Sequence, residues 1–249
     1  MAMAMRGGWR STLFACLAAV CGWANATGLQ VAPTTLSLRA SQNADGLTLS
    51  NTGDDVIHAQ VRVYHWRQDG SGDQLTPSPG LVISPPMVQI PAGGEQLIRV
   101  IRTGAPPNGP GAVEDAYRLA IDELPVDAKS GAGLRFVVHY SLPIFIEPAG
   151  AADTSPQLKY ELEQSGQLVS LKVTNKGNGH GQLAALSFVD AAGQRTELVP
   201  GLLGYVLPGS TMHWALKPPA NVFAKGGTLE VMVNGQKTTE NLSLAGHSP

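Results

Sequence analysis

The run LRFVVHYSLPIFIEP, Leu134 to Pro148, is the stretch on which the fold turns. Large apolar residues stand at every second position, so Leu134, Phe136, Val138 and Tyr140 share one face of a strand, and Arg135, Val137, His139 and Ser141 share the other. The spacing predicts a strand over Leu134 to Ile146. Pro148 ends it at once, because proline has no amide hydrogen for a ladder. Such a row either seals its own core or is offered to another chain.

Downstream, Glu147-Pro148-Ala149-Gly150-Ala151-Ala152-Asp153 interrupts strand pattern with small residues and reads as a short hinge between two domains. Upstream, alternating runs are predicted as strands at Leu29–Val31, Thr35–Arg39, Gly46–Asn51, Ile57–Arg67, Leu81–Ser84, Met87–Ile90, Glu95–Arg102 and Ala116–Leu124. Beyond the hinge come Leu158–Gln164, Leu168–Asn175, Gln182–Val189, Gly204–Leu207, Thr211–Leu216 and Thr228–Val233. Pro85-Pro86 and Pro91-Ala92-Gly93-Gly94 break the middle runs, and nothing reads as a long amphipathic helix. About seven antiparallel strands per half predict an all-β chain of two immunoglobulin-like sandwiches. No repeat at a fixed period joins the halves.

The N-terminus reads as a secretory leader over residues 1–26, with Arg6 and Arg10 as its basic region, Leu13 to Val20 as its apolar centre and Ala24-Asn25-Ala26 as its cleavage signal. A lipoprotein leader ending at Cys21 is the alternative, but Val20 is too large for the residue before a lipidated cysteine. No other apolar run approaches the ~20 residues that span a bilayer. Cys16 and Cys21 both fall in the leader. The exported chain therefore holds no thiol for a disulfide, a thiolate metal site or a nucleophile. Two of the 17 basic residues go with the leader and none of the 19 acidic ones does, which leaves a net negative chain unsuited to nucleic acid.

Catalytic readings fail on spacing. The chain has no G-x-S-x-G, P-loop or H-E-x-x-H motif, and nothing in it calls for a cofactor or a metal. His58 and His65 are seven apart on one strand and so face opposite ways, as do the neighbours Asp122 and Glu123. His139, His180, His213 and His247 are scattered, as surface or packing residues are. Gly177-Asn178-Gly179-His180-Gly181 lacks a following helix and reads as a turn between strands.

Taken in order, TLSNTGDDVIHAQVRVYHW, SPPMVQIPAGGEQLIRV, YRLAIDELP, the strand ending PIFIEP, NKGNGHGQL and GYVLPGSTMHW resemble the PapD-like periplasmic pilus chaperone family across essentially the whole exported chain. The resemblance implies a boomerang of two immunoglobulin-like domains, residues 27–147 and 148–249. It further implies binding of pilus or fimbrial subunits in the periplasm by donor-strand complementation, and their delivery to an outer-membrane usher. The row Leu134, Phe136, Val138 and Tyr140 would then enter the groove of a subunit that lacks its last strand. An exported adhesion or structural module of two immunoglobulin-like domains is the alternative, and it would need no strand-deficient partner.

The chain departs from the better-known branch of that family, which anchors the subunit's terminal carboxylate on an arginine and a lysine. Those positions are Thr35 and Pro143 here, a departure similar to the archaic chaperone-usher branch. Arg118, inside the run Ala116 to Ile121, is the candidate anchor, since a guanidinium can hold a carboxylate by two parallel bonds. The competing expectation is an internal salt bridge to Glu114, Asp115 or Asp122, or a solvated edge. Arg99 and Arg102 lie on opposite faces of their strand and cannot both line one cleft. The familiar hinge pair is lost as well, because Glu147 and the matching Glu114 are both acids, so the angle between domains must be set by something else. The segment Val126 to Gly133, rich in Gly, Ala, Asp and Lys, is expected to be mobile before a subunit is captured.

Overall fold

A computed structural model of the chain describes residues 28–125, 137–150 and 153–245. Ten strands precede the hinge: β1 (Leu29–Ala32), β2 (Leu36–Leu38), β3 (Ala44–Asn51), β4 (Ile57–Asp69), β5 (Gly72–Pro77), β6 (Leu81–Ser84), β7 (Met87–Ile90), β8 (Glu95–Arg102), β9 (Asp115–Leu124) and β10 (His139–Ile146). Eight follow it: β11 (Leu158–Ser165), β12 (Leu168–Asn175), β13 (Gly181–Asp190), β14 (Arg195–Val206), β15 (Thr211–Leu216), β16 (Gly227–Val233), β17 (Gln236–Leu242) and β18 (Leu244–Ala245). The helical structure among the described residues is one 3-10 turn, Ala220–Val222.

The first ten strands form two sheets, β1-β3-β8-β6 and β2-β10-β9-β4-β5, with β7 also on β4. The chain's first strand is split between them, because Pro33 and the residues around it break the ladder after Ala32 and let β2 cross to the opposite sheet. Inward-facing residues at period two, among them Leu47, Leu49, Ile98, Val100, Leu119, Ile121, Leu142 and Ile144, fill the space between the sheets. The last eight strands form β15-β12-β11-β18 and β14-β13-β16-β17 around a separate core that includes Leu162, Leu171, Val173, Phe188, Phe223 and Val231. The two-sandwich, all-β expectation is met, with ten and eight strands instead of about seven each.

Strands predicted from alternation lie where expected, and Leu81–Ser84, Met87–Ile90, Glu95–Arg102, Leu168–Asn175 and Thr211–Leu216 agree to the residue. Sequence pattern missed β5 and β17, which are polar and mostly exposed edge strands with no apolar face to betray them. It also missed the first part of β14, where Pro200-Gly201 interrupts the pattern. Asn234-Gly235, at φ 48° and 80°, makes the two-residue turn from β16 to β17, a hairpin signal present in the sequence. Pairing is also not wholly antiparallel, since β2 runs parallel to β10 and β18 to β11.

The third apolar cluster belongs to neither sandwich alone. Trp66, Ala116 and Phe145 from the first meet Tyr205 and Leu207 from the second.

Candidate functional site: a half-paired strand and the cleft beside it

Strand β10 lies between β9 and β2, but the two neighbours cover it unequally. On the β9 side the register is continuous from His139↔Asp122 to Ile146↔Asp115. On the other side β2 pairs only with Ile144, Phe145 and Ile146. Residues His139 to Pro143 therefore have one edge without a strand partner among the described residues. Unpaired strand edges are templates for another chain.

The expected strand began at Leu134; among the described residues it begins at His139. Leu134 and Phe136, and the segment Val126 to Gly133, lie outside the described residues, as do residues 1–26, where a leader is expected. Val138 is half-buried, its carbonyl accepting from the Glu123 amide at 2.9 Å and its own amide donating to Glu123 Oε2 at 3.2 Å. Tyr140 packs against the first core and its hydroxyl donates to the Leu29 carbonyl at 2.6 Å. Of the row named from sequence, Val138 and Tyr140 thus share parity with Leu142, Ile144 and Ile146, which seal the domain's own core.

Arg118 sits on the opposite face of the same sheet, directly across from Pro143. None of the acids expected to compete for it does so. Glu114 is held by His180, Asp115 by His65 at 2.7 Å and by the Tyr117 hydroxyl at 2.9 Å, and Asp122 by Arg62 and His139, each at 2.6 Å. The guanidinium instead lies over the Trp66 ring, 3.7 Å from its centroid, with the Tyr205 ring at 5.1 Å. Its Nη1 donates a long bond, 3.4 Å, to the Ser141 carbonyl on β10. Burial pulls Arg118 below the ordinary arginine value, and the nearby charge of Asp73 pulls it back up. A half-buried cation resting on rings, with no carboxylate bound to it among the described residues, is equipped to receive one. Arg102 and Arg99 do not share this cleft: Arg102 points inward and donates to Ala40 O and Asn43 Oδ1, while Arg99 is exposed.

Beside the cleft, Glu114 is almost fully buried and its Oε1 lies 2.6 Å from His180 Nδ1. The His180 ring stacks flat on Phe145, centroids 3.6 Å apart and planes at 4°. The Glu114 amide donates to the Asn178 carbonyl at 2.9 Å. The glycine-rich run read as a turn is a turn, and it also brings the second sandwich against Glu114, just ahead of β9, and Phe145 on β10. A carboxylate on one domain and an imidazole on the other thus occupy the hinge where two carboxylates could not form a bridge. The sequence signal for this was the single histidine in an otherwise small-residue turn.

Among the described residues no group of three His, Cys, Asp or Glu is placed to hold a metal ion, and no helix is long and apolar enough to cross a membrane.

Residues 28–152 match the model of the pili and flagellar-assembly chaperones, PapD N-terminal domain. A comparison with curated protein sequences finds no match. Among solved structures, the chain is similar to one from the CsuC-CsuE chaperone-tip adhesion subunit pre-assembly complex of the archaic chaperone-usher Csu pili of Acinetobacter baumannii. The TM-score is 0.67 and the identity 25%, over 88% of this chain and 100% of that one. It shares the fold of the YadV chaperone, at TM-score 0.63 and 18% identity over 86% of this chain and 99% of that one. It also shares the fold seen in the Salmonella enterica SafA pilin–SafB chaperone complex, at TM-score 0.60 and 19% identity over 87% and 97% of the respective chains. With the family model spanning half the chain and the two-sandwich architecture extending over the rest, the protein belongs to the PapD-like pilus assembly chaperones.

Proposed function

We propose that this chain is a periplasmic chaperone that captures pilus or fimbrial subunits by donor-strand complementation and hands them to an outer-membrane usher. In this reading residues 1–26 are removed on export, and the hinge at Glu147-Pro148 separates the capture domain from the second domain. The observation that carries it is the open edge of β10 at His139 to Pro143, and in the sequence the alternating row Leu134, Phe136, Val138 and Tyr140 runs up to and into that stretch. A subunit sandwich short of one strand has an unpaired edge and an exposed apolar groove. The backbone of β10 and the segment before it satisfies the first, and the alternate side chains fill the second. Burying four such side chains supplies on the order of 6–12 kcal/mol gross, before the cost of ordering is subtracted.

The subunit's C-terminal carboxylate is held by Arg118. That guanidinium stands cross-strand from Pro143, the position where the better-known branch carries its lysine, so a terminus in the same cleft meets a cation reaching over from β9. The usher reading rests on the family and on the CsuC-CsuE complex of a chaperone-usher system. The outer face of the first sheet, with Val82, Leu97 and Ile101 exposed, is left free by subunit capture on β10.

The test is recovery of subunit with a tagged copy of the chain from periplasmic extract of the native host. A small partner patterned as a sandwich one strand short is expected in stoichiometric amount, and Phe136→Asp is expected to abolish its recovery while the second domain stays folded. Unchanged recovery with Phe136→Asp would remove the donor-strand role.

A further inference from the structure

Trp66 on β4 and Tyr205 on β14 belong to different sandwiches, yet both rings contact the same guanidinium. They also contact each other edge to face, 5.5 Å apart at 83°. Tyr205 is buried, and its position is set from both sides. Its hydroxyl accepts from Gln182 Nε2 at 2.8 Å. Its main chain is tied to β4 by Gln68, whose Nε2 donates to the Tyr205 carbonyl at 2.9 Å and whose Oε1 accepts from the Leu207 amide at 2.8 Å. Gln68 and Trp66 share a face of β4, so one strand carries both a ring of the cluster and the link that seats the other.

We propose that the carboxylate anchor is composite: Trp66 and Tyr205 hold the Arg118 guanidinium against their rings, so that a subunit terminus is gripped only when the second sandwich is docked on the first. The inference rests on the reading of Arg118 as the anchor. With the guanidinium carbon 3.7 Å over the indole and Nη1 engaged by a long bond to the Ser141 carbonyl, the rest of its N–H edge remains for a ligand. That edge suits a planar anion approaching in its own plane, as a terminal carboxylate does, through two parallel bonds. An arginine free in solvent would pay rotamer entropy to reach the same geometry, and cation–π contact removes that cost in advance. A lysine would keep the charge but offer neither the flat face nor the two-pronged edge. Tyr205 is on this account a positioning residue, acting through Arg118.

The probe is the subunit that co-purifies with the wild-type chain, and the quantity read is subunit recovered per chaperone from periplasmic extract. Arg118→Ala and Arg118→Lys are each expected to lower it about tenfold. Tyr205→Leu should lower it ~3- to 10-fold, and Tyr205→Phe, which keeps the ring, should restore most of it. The double variant Arg118→Ala with Tyr205→Leu should be no worse than Arg118→Ala alone, because two residues acting through one contact do not add. Additive losses would make Tyr205 a purely structural residue and overturn the composite anchor. Full capture by Tyr205→Leu beside a failing Arg118→Ala would overturn it while leaving the anchor reading in place. Normal capture by Arg118→Ala would take down both. If Tyr205→Leu does not accumulate, Gln68→Ala cuts the tie to β14 without touching a ring. Capture reduced ~2- to 3-fold is then expected, and unchanged capture overturns the proposal.

Discussion

The two sandwiches turn the same corner in the same way and use it differently. At the end of β3, Asn51 Nδ2 donates to Asp55 O, Ile90 O and Pro91 O, and its Oδ1 accepts from the Gly53 amide. At the end of β12, Asn175 Nδ2 donates to Gly179 O and Val206 O, and its Oδ1 accepts from the amides of Gly177 and Gln157. Both asparagines are nearly fully buried, and each begins an Asn-x-Gly run: Asn51-Thr52-Gly53 and Asn175-Lys176-Gly177. In the first domain the corner leads into Asp54 and Asp55, which are exposed. In the second it leads into Asn178 and His180, which meet Glu114 just ahead of β9 and Phe145 on β10. A corner that is only structural in one half has become one of the contacts between the sandwiches in the other. The difference lies in a few residues after the shared asparagine.

The largest effect that would sharpen this comparison is expected from the asparagines. Asn175→Ala removes four hydrogen bonds and leaves buried carbonyls and amides without partners, and should destabilise the second sandwich by about 3–4 kcal/mol. Asn51→Ala should cost the first sandwich a similar amount. Only the Asn175 variant should also change the arrangement of the two domains, read by small-angle scattering alongside denaturant unfolding. Equal effects on that arrangement would break the contrast between the corners. Gly177→Ala is a second route to the same corner, because a Cβ there would collide with the Ser155–Gln157 backbone.

Next in size is the hinge pair. His180→Ala leaves the Glu114 carboxylate buried without its imidazole and strips a ring from Phe145, a loss on the order of 2–3 kcal/mol. Heteronuclear NMR should show perturbations confined to the ends of β9 and β10 and to the turn after Asn175. A variant with unchanged stability and unchanged interdomain signals would mean that the aromatic cluster and Gln68 hold the domains without the pair.

The smallest effect is electrostatic and local to the first domain. The Arg62 bond, and then the His139 one, hold the Asp122 carboxyl below its ordinary value. A carboxyl lowered on folding adds stability that is present above the usual carboxylate range and is lost as the pH falls through its own lowered value. Arg62→Ala should bring Asp122 back toward the ordinary value in a carboxyl NMR titration and remove that part of the acid limb. The pair is at the surface, so the change in stability at neutral pH should be slight. An Asp122 titration that does not move would exclude Arg62 as the cause.

Legibility followed periodicity. Strands with one buried face, such as β8 and β12, could be read to the residue, because every second side chain must be apolar to face a core. β5, reading Gly-Asp-Gln-Leu-Thr-Pro with five of six residues exposed, pairs at a sheet edge and buries nothing that a pattern could reveal. The alternating row ahead of the hinge was legible in the same way, but which edge of β10 is open was not, since that depends on β2 stopping short in register. For Arg118 the sequence supplied the residue and the wrong kind of neighbour. Its nearby acids are engaged with His180, His65 and Arg62, and the contacts it does make come from β4 and β14.

What the amino-acid order determined by itself is local or periodic: two β-rich halves, a proline-marked break between them, and an alternating row ahead of that break. Each follows from side-chain direction or backbone capability within a few residues. What only tertiary structure decided is which distant groups meet. His180 reaches Glu114 across 66 residues and Gln68 reaches the Leu207 amide across 139. Those meetings depend on how two sandwiches with separate cores dock, and docking is set by the fit of surfaces that leave no period in the sequence.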